Sequence, residues 1–74
     1  MKGTNIYYSV EKESEDVNGF QELNGNKTVS IYKIVRNKPV LLGEVSCDLT
    51  DYSRNIVVVF LHQNHINFNE ITLI

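Results

Sequence analysis

Three side chains in this sequence are the first candidates to hold a metal ion: Cys47, His62 and His65. Thiolate and imidazole are both zinc ligands, and a loop after an apolar run can present two histidines together. Asp48 would complete a mixed set. The spacing does not demand it. Structural zinc usually takes four protein ligands and a Cys-x-x-Cys knuckle, and the chain has one cysteine. The expectation is no metal and no cofactor, with two exposed loop histidines and Cys47 buried as a small hydrophobe.

Catalytic signatures are missing as well. There is no Gly-x-Ser-x-Gly elbow, no phosphate-binding glycine loop and no His-Glu-x-x-His. A small domain also struggles to enclose a pocket of roughly 300 Å³, the lower end for ligand sites. The chain is therefore not expected to be an enzyme.

Charge is more informative. Residues 11–22 hold Glu11, Glu13, Glu15, Asp16 and Glu22 against Lys12. Residues 27–38 hold Lys27, Lys33, Arg36 and Lys38 with no acid. Tyr32, Lys33 and Arg36, with Lys38 in the same basic hairpin, would make a basic aromatic platform for single-stranded nucleic acid if they lay on an exposed sheet face, and Tyr7 is a separate candidate binding residue. The balance of the chain opposes this, since net charge is −2 and the pI is about 5.5. Binders of that kind usually have a pI above about 9. The competing expectation is that the two segments neutralise each other, and that hairpin lysines blunt a sheet edge. The acidic segment is thin for a DNA-mimicking strip and reads as a solvated element. Tyrosine is enriched at interface cores. Tyr7 and Tyr8 point to opposite faces of any strand, so one of them should be partly exposed.

The elements that would carry these groups follow from periodicity. Residues 5–11 alternate, with Ile6, Tyr8 and Val10 on one face, which predicts a half-buried strand. Residues 27–36 and 40–47 predict a hairpin. A two-residue turn at Asn37-Lys38 would ask Pro39 for an N–H that it lacks. A four-residue loop pairing Val35 with Val40, Ile34 with Leu41 and Tyr32 with Gly43 avoids that demand, and puts an aromatic ring over the glycine. Residues 55–62 contain Ile56-Val-Val-Val-Phe-Leu61 with no alternation, which predicts a central strand covered on both faces. In residues 66–74, Ile66 and Phe68 have one parity and Ile71 and Leu73 the other, so a bulge is expected near Asn69-Glu70.

Residues 14–24 support two readings. Val17, Phe20 and Leu23 recur at helical spacing behind Ser14 as a cap. Alternatively, Asn18-Gly19 and Asn24-Gly25 are turns around a short extended piece. Either way, Phe20 and Leu23 are expected to cover one end of the core.

Composition bounds the rest. The chain has 74 residues, 42% of them apolar, which suits one small ordered domain over residues 1–74. Val, Ile and Thr are abundant and alanine is absent, which tilts the chain toward β structure. The longest apolar run is far short of the roughly 20 residues of a membrane span. Met1-Lys2-Gly3-Thr4 has no apolar h-region behind it, so the expected location is the cytoplasm. Asn, Ile, Lys and Tyr are common and Gly, Ala, Arg and Pro scarce, which points to an AT-rich bacterial or phage gene.

The expected fold is mainly β: a small antiparallel sheet or barrel of about five strands, with a short helix after strand 1 as the α+β variant. The expected function is a non-enzymatic protein-interaction or self-associating module, with a protein partner or a homo-oligomer and no membrane. The alternative is a weak single-stranded nucleic-acid binder using the basic hairpin 27–38.

Overall fold

The computed structural model describes residues 3–74; Met1 and Lys2, part of the start that was read for a leader, lie outside them. The class is mainly β with one short helix. Five elements follow one another: β1 (Thr4–Val17), β2 (Phe20–Val35), β3 (Lys38–Asp48), α1 (Ser53–Gln63) and β4 (Phe68–Leu73). They form one sheet in the order β3-β2-β1-β4. β1–β2 and β2–β3 are antiparallel hairpins, whereas β4 runs parallel to β1. That parallel pair is possible because α1 crosses one face of the sheet, carrying the chain from one edge to the other.

The core lies between that face and α1. Ile6, Val29, Ile31, Val57 and Leu61 are fully buried, with Tyr8 beside them. Leu42, Val45, Ile56, Phe60, Phe68 and Ile71 close around this cluster. On the strands the buried residues keep a period of two; on the helix, Ile56, Val57, Phe60 and Leu61 keep the i, i+1, i+4, i+5 stripe that faces a sheet.

The segment expected as a central strand at 55–62 is therefore the helix. Its β-branched residues have low helical propensity, and its N-cap, Tyr52, makes no side-chain capping bond. Tertiary burial of the apolar stripe supplies what propensity does not. The C-terminus is better built. The N–H of Ile66 donates to the Leu61 carbonyl (2.9 Å) and that of His65 to the His62 carbonyl (3.2 Å). His65 has φ 56°. Together these make a Schellman closure, with histidine where glycine is usual.

No helix follows β1. Asn18-Gly19 is a two-residue hairpin turn with φ of 51° and 85°, as a type I′ turn requires. Asn24-Gly25 is a different device. The β1–β2 register jumps between Lys12/Lys27 and Ser14/Leu23, and the chain between them kinks at Gly25 (φ 86°). The Asn24 side chain accepts from the Asn26 N–H at 3.0 Å, and the Gly25 carbonyl accepts from Leu49 N–H at 2.9 Å. Beyond this kink, residues 14–23 form a two-stranded arm with no third strand beside it. Phe20 and Leu23, expected at the end of the core, sit on that arm with 73% and 57% of their surface exposed. The radius of gyration is 14.2 Å, against about 11 Å for a compact chain of this length; the arm accounts for the excess.

The hairpin at 27–47 also differs in register from the expectation. The turn is Arg36-Asn37, both with positive φ (53° and 63°). Val35 pairs with Lys38, Ile34 with Pro39, Tyr32 with Leu41 and Ile31 with Gly43, with Leu42 bulged. Pro39 is harmless one step beyond the closing pair, at a position that donates nothing to β2, on an edge strand. The ring over Gly43 is not Tyr32. A Cβ added at Gly43 would stand 2.6 Å from Phe60 of the helix, so the glycine admits α1 rather than a cross-strand neighbour. The bulge expected near Asn69-Glu70 is present, as β1–β4 pairing skips from Thr4/Phe68 to Ile6/Ile71. It lets Phe68 and Ile71 both pack against the core.

Candidate functional site: the uncovered face of the sheet

Only one face of the sheet is covered. Strand alternation sends Ile6, Tyr8, Val29 and Ile31 toward α1, and Tyr7, Ser9, Ser30 and Tyr32 to the other side. No described element lies over that second face.

Two zones divide it. At one end Tyr7 and Tyr32 are directly opposed across β1 and β2, both half-buried. Leu41, paired with Tyr32, is 49% exposed, and Ile34, paired with Pro39, is 44% exposed. Ile74 reaches in from the far edge; its N–H donates to the Tyr8 carbonyl at 2.9 Å. Ser9, Tyr32, Pro39 and Ile74 line a shallow, mainly apolar hollow of about 290 Å³. This is an apolar strip over β1, β2 and β3, with Ile74 just past the end of β4, of the kind that marks interaction surfaces.

The other zone is acidic and hydroxylic. Glu11, Glu13, Thr28, Ser30 and Glu44 line an open groove next to Tyr32, and Lys12 reaches its rim. Glu13 falls in the β1 irregularity, where its carboxylate accepts from Ser46 Oγ (2.6 Å) and Thr28 Oγ1 (3.1 Å). One side chain thus ties β1, β2 and β3 together. The hydrogen bonds from Ser46 and then Thr28 favour the charged form and hold the Glu13 carboxyl below its ordinary value. Asp48, at the end of β3, is lowered in the same way by Thr50, whose hydroxyl and N–H both donate to it (2.7 and 2.8 Å).

The sequence-based site residues separate on this frame. Tyr7 and Tyr32 are brought together. Lys33 pairs with Ile6 and Val40, so its parity puts it on the helix side. Lys38 shares that parity, and Arg36 occupies the turn. The tyrosines and the cations proposed to work with them are on opposite sides of the sheet. Lys27 is a core residue at 6% exposure, and its ammonium donates to the carbonyls of Leu49 (3.4 Å) and Asp51. It anchors the loop into α1 rather than forming a basic platform.

The metal candidates also disperse. Cys47 lies on β3 beneath the helix, half-buried, where burial pushes its thiol up. His62 is on the last turn of α1, its ring edge-on to Phe68 at 6.0 Å. His65 closes that helix. Both histidines line an open hollow with Gly3, Asn67 and Phe68. No group of three or more metal-ligating side chains occurs among the described residues.

Sequence reasoning missed Glu13, Glu44 and Leu41. The strand parity of Leu41 was available; Glu13 keeps the parity of Tyr7 but lies beyond the strand expected at 5–11, and the bulge at Leu42 that brings in Glu44 was not legible. The whole is a small mixed-sheet domain with one helix and one bare face. No protein-family model, no curated protein and no solved structure matches the chain.

Proposed function

We propose that this chain is a non-enzymatic protein-interaction module, acting in the cytoplasm and encoded by an AT-rich bacterial or phage gene. Its binding surface is the bare sheet face. The occupant is a protein with an apolar centre that seats on Tyr7, Tyr32, Leu41 and Ile74, and basic groups that meet Glu11, Glu13 and Glu44. The supporting observation is the uncovered apolar strip beside the carboxylates Glu11, Glu13 and Glu44, whose groove Lys12 also lines. Half-buried tyrosines suit such a role, because they add contact area at little entropic cost. Single-stranded nucleic acid is the weaker reading, since stacking platforms need cations beside the aromatics, and here Glu11, Glu13 and Glu44 stand there instead.

The experiment is a matched pair of variants. Leu41→Glu places a charge in the strip; Val59→Glu places one on the solvent side of α1, where Val59 is 52% exposed. A defined protein that co-purifies with the parent chain and with Val59→Glu, but not with Leu41→Glu, supports the reading. Equal recovery by both variants, or retention of oligonucleotides at low salt instead, overturns it.

A further inference from the structure

β2 runs the full length of the molecule. Its 16 residues span roughly 50 Å at about 3.3 Å each, and the longest dimension of the molecule is 53 Å. The charged segments therefore lie at opposite poles. The arm, residues 14–23, carries Glu15, Asp16 and Glu22 and no lysine or arginine. The β2–β3 turn region, residues 33–40, carries Lys33, Arg36 and Lys38 and no carboxylate. Glu22 and Lys33 are on the order of 35 Å apart along the strand, several times the ~8 Å over which salt screens exposed charges. These two end segments, the outer parts of 11–22 and 27–38, do not neutralise each other within one molecule.

The arm is also poorly satisfied by itself. A two-stranded ribbon is marginal in water. Glu15 stands directly opposite Glu22, and like charges in such a pair repel. Phe20 and Leu23 are exposed beside them. A surface that is both apolar and cationic, placed on the Glu15/Glu22 face of the arm, would offset that repulsion, cover Phe20 on the same face and brace the ribbon; Leu23 lies on the other face. The opposite pole has that character: Ile34, Val35, Val40 and Leu41 are exposed around its three cations.

We propose that a second copy of this chain supplies that surface, with two molecules lying antiparallel along β2. The arm of each packs against the 33–40 hairpin end of the other. The arrangement is two-fold symmetric and closes at two copies. Its two contacts are equivalent, each setting the acidic arm of one copy against the cationic hairpin end of the other. The reading shares Ile34 and Leu41 with the bare-face proposal, and the charge variants that test it leave both residues in place, so the two readings fail separately.

Sedimentation of the purified full chain, over a wide concentration range and at low and high salt, tests it. The expected result is a monomer–dimer equilibrium that weakens with salt. Glu15→Lys/Glu22→Lys should weaken dimerisation by about tenfold or more, and Arg36→Glu/Lys38→Glu likewise, because each then presents like charges. An equimolar mixture of the two variants should restore the dimer, since both mixed contacts are again opposite in sign. All four positions are exposed, and circular dichroism checks that both variants fold. A parent chain that stays monomeric at every concentration overturns the proposal. So does a dimer indifferent to both variants, a mixture that fails to associate, or growth past two copies into open chains.

Discussion

The two faces of this sheet are made by the same strands, residue by residue in alternation, yet they are built to different ends. The helix-side face is closed: Ile6, Val29 and Ile31 lose all their solvent contact to Val57 and Leu61 of α1. Its one buried cation, Lys27, is consumed by loop carbonyls. The opposite face keeps residues of similar size, Tyr7, Tyr32 and Leu41, but no described element covers them. Its carboxylate Glu13 is held by hydroxyls rather than by a cation. The buried core belongs to the first face, and the second is the surface proposed for recognition. Small domains bury a modest share of their surface, so leaving a whole face open is a substantial sacrifice of core.

The largest predicted difference is between matched truncations. Ile31→Ala should cost about 2–5 kcal/mol, the range for deleting a fully buried aliphatic side chain. Leu41→Ala, on the open face, should stay within about 0.5 kcal/mol. Urea unfolding of both variants measures this. Similar losses for the two would mean that the faces are not distinct in the folded state.

A smaller effect sharpens the closed side. In Gly43→Ala the new Cβ would meet the Phe60 ring at 2.6–2.7 Å, and overpacking of that kind costs about 1–3 kcal/mol. Adding Phe60→Leu should recover part of the loss relative to Phe60→Leu alone, because the clash is with the ring. Additive losses in the double-mutant cycle would break the assignment of Gly43 as the seat of α1.

The smallest effect is on the open side and depends on pH. Glu13 has a folded-state pKa below its ordinary value of 4.5. Its contribution is therefore present above 4.5 and disappears as pH falls through the lower folded value. Ser46→Ala removes the largest cause, so the Glu13 titration should move up toward 4.5 in an NMR pH series. An unmoved midpoint would remove Ser46 from the tie between the strands.

The same contrast explains what was legible in the sequence. Alternation at Ile6/Tyr8/Val10 and at Val29/Ile31 revealed β1 and the sheet half of the core, because burial on one face imposes period two. The parity break between Phe68 and Ile71 revealed a real bulge. The helix was hidden because Val57-Val58-Val59 is β-branched and continuous, which resembles a strand buried on both sides. The informative spacing was Ile56/Phe60 with Val57/Leu61, inside an element of 11 residues. The hairpin register was hidden by Pro39, which excludes one turn but is compatible with the turn one residue earlier. The candidate site was half legible. Tyr7 and Tyr32 were visible as strand residues on the alternate parity. Glu11 keeps the parity of Tyr7 within the expected strand and Glu13 just beyond it, whereas Glu44 joins this face through the bulge at Leu42, and a one-residue slip reverses every assignment to a face.

The central claim, that the open face is the surface used, is tested most directly by position-specific photo-crosslinking in cells that carry the gene. A photoreactive residue is placed at Leu41 or at Val59. The account predicts a discrete adduct with another protein from Leu41 and none from Val59. Adducts of equal yield from both positions, or from Val59 alone, would contradict it.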